Sequence, residues 1–185
     1  DHWGRGYVNL AATTPVGEGE DAGRLISGVG NGNFEPDRAI TYGEAVTILI
    51  RALGYTDEQV GTIWPGDYVA KAGEIGLSDG VSAAAGSSIT RAQAAQLFVN
   101  MLTCKTSAKT PYYDSLGKGT QDTILLSLNA KADDGSDGAV MTTQGRYLPR
   151  AGSSMPVSLL GQKGVQVVDE DGLLVAFIPD KTNSV

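Results

Sequence analysis

Ile89-Thr90-Arg91-Ala92-Gln93 carries the same frame as Ile40-Thr41-Tyr42-Gly43-Glu44: an apolar residue, then Thr, then Gln or Glu three positions after the Thr. This is the capping-box pattern that opens a helix. The Thr hydroxyl accepts from the third backbone N–H, and the Gln or Glu side chain reaches back to the cap's own N–H. Apolar residues follow each box at helical spacing, Ala45, Val46, Ile48, Leu49, Ala52 and Leu53 in the first and Ala94, Ala95, Leu97, Phe98, Met101 and Leu102 in the second. Two helices of similar length are therefore expected to start in the same way.

The repeat extends upstream, because Trp3 leads Tyr7 and Trp64 leads Tyr68 by one helical turn. Each pair opens an Ala-rich amphipathic segment, and Tyr7, Leu10 and Ala11 are expected to face a core. The stretch from Trp3 to Ile40 is longer than that from Trp64 to Ile89, and the excess falls in the Gly-, Pro- and acid-rich run Thr13 to Gly23, which reads as a loop. Such a repeat implies stacked units sharing one core, each too small to bury its apolar face alone. The loop before the second box has Ala83, Ala85 and Gly86 where the first has Phe34, Pro36 and Asp37, so it is expected to be the looser of the two.

Downstream of Thr103 the periodicity changes. Residues 103–110 are polar and read as a linker. Thr123 to Leu128 has strand length, and Val165 to Val168 and Leu173 to Ile178 flank Asp169-Glu170-Asp171-Gly172, a strong hairpin signal. Further strands are expected around 138–148 and 157–160. The fold class that follows is α+β, with repeat units at 1–55 and 62–102 and a small, mostly antiparallel β domain at 111–185.

Composition narrows the function. A net charge of -7 and no basic stripe argue against nucleic acid. No run of 18 apolar residues exists, so no membrane span is expected. One Cys, Cys104, and one His, His2, leave no Cys/His metal site and no nucleophile constellation, so the chain is not expected to be an enzyme or to carry a cofactor. Cys104 reads as a buried, inert thiol. The glycines of 28–33 read as turn positions rather than a phosphate cradle. Asp133-Asp134-Gly135-Ser136-Asp137-Gly138 has acids at the first and fifth positions of a calcium loop, but Gly135 at the third and Gln144 at the twelfth, and reads as an acidic turn.

Taken together, Trp3 with Tyr7, Gly32-Asn33-Phe34-Glu35-Pro36-Asp37, Ile40-Thr41 with Glu44, and Ile89-Thr90-Arg91-Ala92-Gln93 resemble the surface-layer homology (SLH) family. The resemblance covers residues 1 to about 102 as two modules. It implies an extracellular protein of a Gram-positive cell wall or S-layer, held non-covalently by a secondary cell-wall polysaccharide that often bears pyruvate ketals. Such modules commonly work with a further module or chain. By the same resemblance a glycan-binding role falls on Trp64, Thr90, Arg91, Asp79 and Gly80, on Trp3, and on Tyr42 in the slot that Arg91 fills in the second copy. An Arg just inside a helix N-terminus sits beside free N–H groups, where a carboxylate is stabilised. Tyr42 brings no charge to its box. Two alternatives stay open: the tryptophans as core residues, and degenerate modules acting as a structural scaffold without glycan binding.

Overall fold

A computed structural model describes residues 2–17, 23–28 and 33–180. The chain divides into two compact units, Asp1–Tyr112 and Tyr113–Val185. Among the described residues there are five helices and one five-stranded antiparallel sheet, a mixed α+β architecture.

In the first unit the helices are α1 (Arg5–Thr13), α2 (Tyr42–Ala52), α3 (Asp57–Val60), α4 (Gly66–Glu74) and α5 (Arg91–Thr103), with a two-residue strand pair, β1 (Pro15–Val16) and β2 (Gly23–Arg24), after α1. Both boxes form. At α2 the Thr41 Oγ1 accepts from Glu44 N at 3.3 Å while Glu44 accepts from Thr41 N at 2.9 Å. At α5, Thr90 Oγ1 accepts from Gln93 N at 3.2 Å and Gln93 accepts from Thr90 N at 2.9 Å. The two caps share the same backbone angles, φ -83° and ψ 162°. Thr41→Ala is expected to lower the stability of this unit by about 1 kcal/mol, the usual loss when a capping hydroxyl is removed, read as a drop in urea midpoint without a change in slope.

The core gathers Tyr42, Val46, Leu49, Ile50 and Leu53 of α2, Tyr68 and Ala72 of α4, Leu77, and Leu97 and Met101 of α5. Cys104 is buried in it, its thiol donating to Ile75 O at 3.3 Å. Residues 103–110, read as a linker, are bonded to this unit: Ser107 N donates to Leu53 O at 2.9 Å and the Tyr55 hydroxyl to Lys105 O at 3.0 Å. The loop before the second box is anchored as well, through backbone rather than side chains. Tyr42 N donates to Ser87 O and Gly43 N to Ala85 O, each at 2.8 Å, and Ile89 N donates to Ile40 O at 3.1 Å. The two boxes thus lie edge to edge.

The expectation for α1 is corrected. Tyr7 is 73% and Leu10 67% exposed, and the helix buries no residue. Its periodicity marks an apolar face, but Tyr7 and Leu10 on that face stay exposed, whereas the corresponding segment α4 packs on α2.

In the second unit the strands β3 (Lys118–Lys131), β4 (Asp137–Thr142), β5 (Gly145–Tyr147), β6 (Lys163–Val168) and β7 (Leu174–Pro179) are ordered β5-β4-β3-β6-β7. The Asp-Gly hairpin forms: Asp169 Oδ1 accepts from Asp171 N and Leu173 N, and Gly172 takes φ +78°. The strand expected at 157–160 is instead one 3-10 turn, Val157–Leu159, set off by Pro156 and closed by Leu160 N donating to Val157 O at 3.0 Å. Val157 is exposed, and of this run Leu159 packs against the core of the second unit. In the acidic turn Asp134 accepts from Ser136, Asp133 pairs with Arg146 and Asp137 with Lys131.

Candidate functional site

The first unit carries an open groove of about 720 Å³ walled by the 25–28 and 34–40 segments, one face of α2, and Trp64. Trp64 reaches it from the start of the second copy. Its indole N–H donates to Thr47 Oγ1 at 3.1 Å, and that hydroxyl donates in turn to Gly43 O at 2.7 Å. The ring is therefore held in one orientation while 57% of the residue remains exposed. Phe34, Leu25, Ile26 and Ile48 supply apolar wall opposite a polar rim of Arg38, Arg51, Glu35 and Glu44.

Both arginines are already engaged. Arg38 makes two hydrogen bonds to Glu44, at 2.6 and 3.2 Å, and pairs with Glu35. Arg51 bonds both carboxylate oxygens of Asp57 and the Tyr68 hydroxyl, which itself donates to Asp57. The rim thus carries matched donors and acceptors with little net charge. An aromatic face flanked by such groups suits the C–H faces and hydroxyls of a sugar.

These pairs also shift the acids. Hydrogen bonding from Tyr68, then Arg51, holds the Asp57 carboxyl below its ordinary range, and the Arg38 hydrogen bond, helped by Thr41, does the same for Glu44. A carboxyl whose folded pKa lies below its unfolded one contributes stability that is present above the unfolded value and lost as pH falls through the folded one. Thermal stability is therefore expected to be level between about pH 7 and 5 and to weaken below about pH 4. The effect is modest because Asp57 is largely exposed. A melting temperature level down to about pH 3 would contradict it.

Of the residues expected to bind, only Trp64 lines this groove. Tyr42 is buried, and its N–H and that of Gly43 are taken by the 84–88 loop, so the first box offers no open anion site. Thr90 caps α5, and Arg91 beside it is exposed and makes no ion pair with any described residue. Asp79 and Gly80 lie on the turn after α4, where Asn100 donates to Asp79 O at 2.8 Å. Trp3 is 84% exposed, edge-on to Tyr7 with ring centroids 6.4 Å apart. Neither tryptophan is a core residue. Sequence reasoning missed Arg38, Arg51 and Thr47; the only signal for Thr47 is a Thr one turn after Gly43 within an apolar helix face.

Residues 1–46 match the S-layer homology domain. This S-layer homology segment includes α1, the 34–40 wall of the groove and the first box. Over 84 residues, 45% of its length, the chain is 37% identical to a cell surface protein of Thermoanaerobacter kivui, of which 9% is covered. It is 34% identical over 80 residues, 43% of the chain, to a surface layer protein of Brevibacillus choshinensis and to a middle cell wall protein of Brevibacillus brevis, covering 6% and 7% of them. The chain thus spans less than a tenth of these relatives. No solved structure gives a significant match.

Proposed function

We propose that residues 1 to about 102 are two surface-layer homology modules that hold a larger extracellular protein on the cell wall by binding a secondary cell-wall polysaccharide, without catalysis. The observation that carries the reading is the groove that the matched segment walls on one side, with Trp64 pinned by Thr47 and a rim of paired Arg and Glu side chains. The names of the relatives, surface layer and cell wall proteins, point the same way. Because Arg38 and Arg51 are neutralised by their own carboxylates, the groove favours sugar hydroxyls, and a pyruvate ketal would have to displace Glu44 or Glu35 to reach Arg38, or Asp57 to reach Arg51. The test is co-sedimentation with purified walls before and after extraction of the secondary polymer; retention that survives extraction refutes the reading.

A scaffold role without glycan is favoured by one specific observation, the closure of the first box by the 84–88 loop. Under that reading the wall plays no part and a partner module or chain is the ligand.

A further inference from the structure

The packing of α4 on α2 gives a template for two faces that are exposed among the described residues of the first unit. On α2 the residues Gly43, Val46, Thr47 and Ile50 are buried. Their counterparts on α5, at the same distances from the box, are Ala92, Ala95, Gln96 and Val99, and all four are exposed. On the other side, Trp64, Tyr68 and Ala72 of the second copy correspond to Trp3, Tyr7 and Ala11, and Trp3 and Tyr7 are among the most exposed large side chains in the molecule. One helix face that receives and one that inserts are each left open.

The open faces match each other residue by residue, and they differ from the internal pair in a complementary way. Gly43 is required inside the chain because a Cβ there would stand 2.9 Å from Pro65 Cβ and 3.1 Å from Ala85 O. On α5 the position holds Ala92, which adds a methyl, and the Pro65 counterpart is Gly4, which removes the ring. Thr47, acceptor for the Trp64 indole, is replaced by Gln96, whose side-chain oxygen can accept from Trp3. The N–H groups of Tyr42 and Gly43 bond the uncharged loop Ala84-Ala85-Gly86-Ser87, whereas at the corresponding place Arg91 and Ala92 would meet the loop Glu35-Pro36-Asp37-Arg38.

The two loops also share a turn. Ser87 N donates to Ala84 O at 2.9 Å, and at the same place in the first copy Arg38 N donates to Glu35 O at 3.2 Å. The carbonyls of Pro36 and Arg38 are thus presented as those of Ala85 and Ser87 are, which bond the first N–H groups of α2. The corresponding N–H groups of Arg91 and Ala92 make no backbone hydrogen bond with any described residue. His2 Nε2 lies 3.3 Å from Asp37, so the start of α1 and the acidic loop form one continuous surface.

We propose that α1 and the 35–38 loop of one copy of this chain dock on α5 of a second copy, repeating between molecules the packing of α4 and the 84–88 loop on α2. Arg91 is then an interface cation that meets Glu35 and Asp37 of the neighbour. The contact is head-to-tail, so each copy keeps one inserting and one receiving face and can extend the assembly.

Sedimentation velocity over a concentration series of the 185-residue chain tests this. The expected result is concentration-dependent association, weakened on the order of tenfold or more by Arg91→Glu, which sets like charges against each other, and likewise by Trp3→Glu. Both sites are exposed, and circular dichroism identical to the parent chain verifies that each variant is folded. Mixed together, the two variants are expected to pair one-to-one, since one keeps its α1 and the other its α5. A parent chain that is monomeric at every concentration overturns the proposal, as does Arg91→Glu associating like the parent, or a mixture of the two variants that fails to pair.

Discussion

Ile50→Ala is expected to destabilise the first unit by about 2–5 kcal/mol, the range for truncating a fully buried aliphatic side chain whose neighbours cannot collapse onto the space. Ile50 is 0% exposed, on a helix whose other core residues, Val46, Leu49 and Leu53, are also buried. In a unit of about 110 residues that loss lowers the melting temperature by on the order of 10 °C. The same repeat position on α5 is Val99, 53% exposed. Val99→Ala in dilute solution is expected to cost less than about 0.5 kcal/mol. Chemical denaturation of both variants reads the contrast directly: equal losses would mean that the two copies share burial as well as sequence, and would contradict the open face on α5.

That contrast shows what the amino-acid pattern does and does not determine. The capping boxes at Thr41 and Thr90 could be read without a structure because every group they need lies within four residues. The Asp169–Gly172 hairpin is local in the same sense. Burial is not local. Trp3 and Trp64, or Val99 and Ile50, occupy the same places in their repeats, yet Trp3 is 84% exposed against 57% for Trp64, and Val99 53% against 0% for Ile50. Periodicity identifies the apolar face of α1, but whether Tyr7 and Leu10 are covered depends on elements the pattern does not mention. The run 157–160 has strand-like residues, but Pro156 withholds an N–H and nothing pairs with it. The groove could be read only at Trp64, because Arg38, Arg51 and Trp64 converge from three separate segments and the ion pairs that fix the arginines depend on side-chain placement. Arg91 drew attention as a cation inside a known pattern, while the cations that line the concavity are elsewhere.

Trp64→Ala is expected to abolish most retention on polymer-bearing walls, whereas Arg91→Ala in dilute solution is expected to leave it nearly unchanged. The asymmetry follows from geometry. Trp64 presents the large flat face of the groove, and its hydrogen bond to Thr47 holds the ring in place before any ligand arrives, so little ordering is lost on binding. Removing an aromatic anchor from such a site costs about 2–4 kcal/mol, which corresponds to a loss of affinity on the order of thirtyfold or more. The fold tolerates the change because over half of the residue is already exposed. Thr47→Val separates the two contributions of the ring: it keeps the indole but removes its hydrogen-bond acceptor, and about tenfold weaker binding is expected from a freer ring. Arg91 lies outside the groove, so a strong effect of Arg91→Ala with little effect of Trp64→Ala would move the glycan site to the α5 N-terminus and leave the groove without a role.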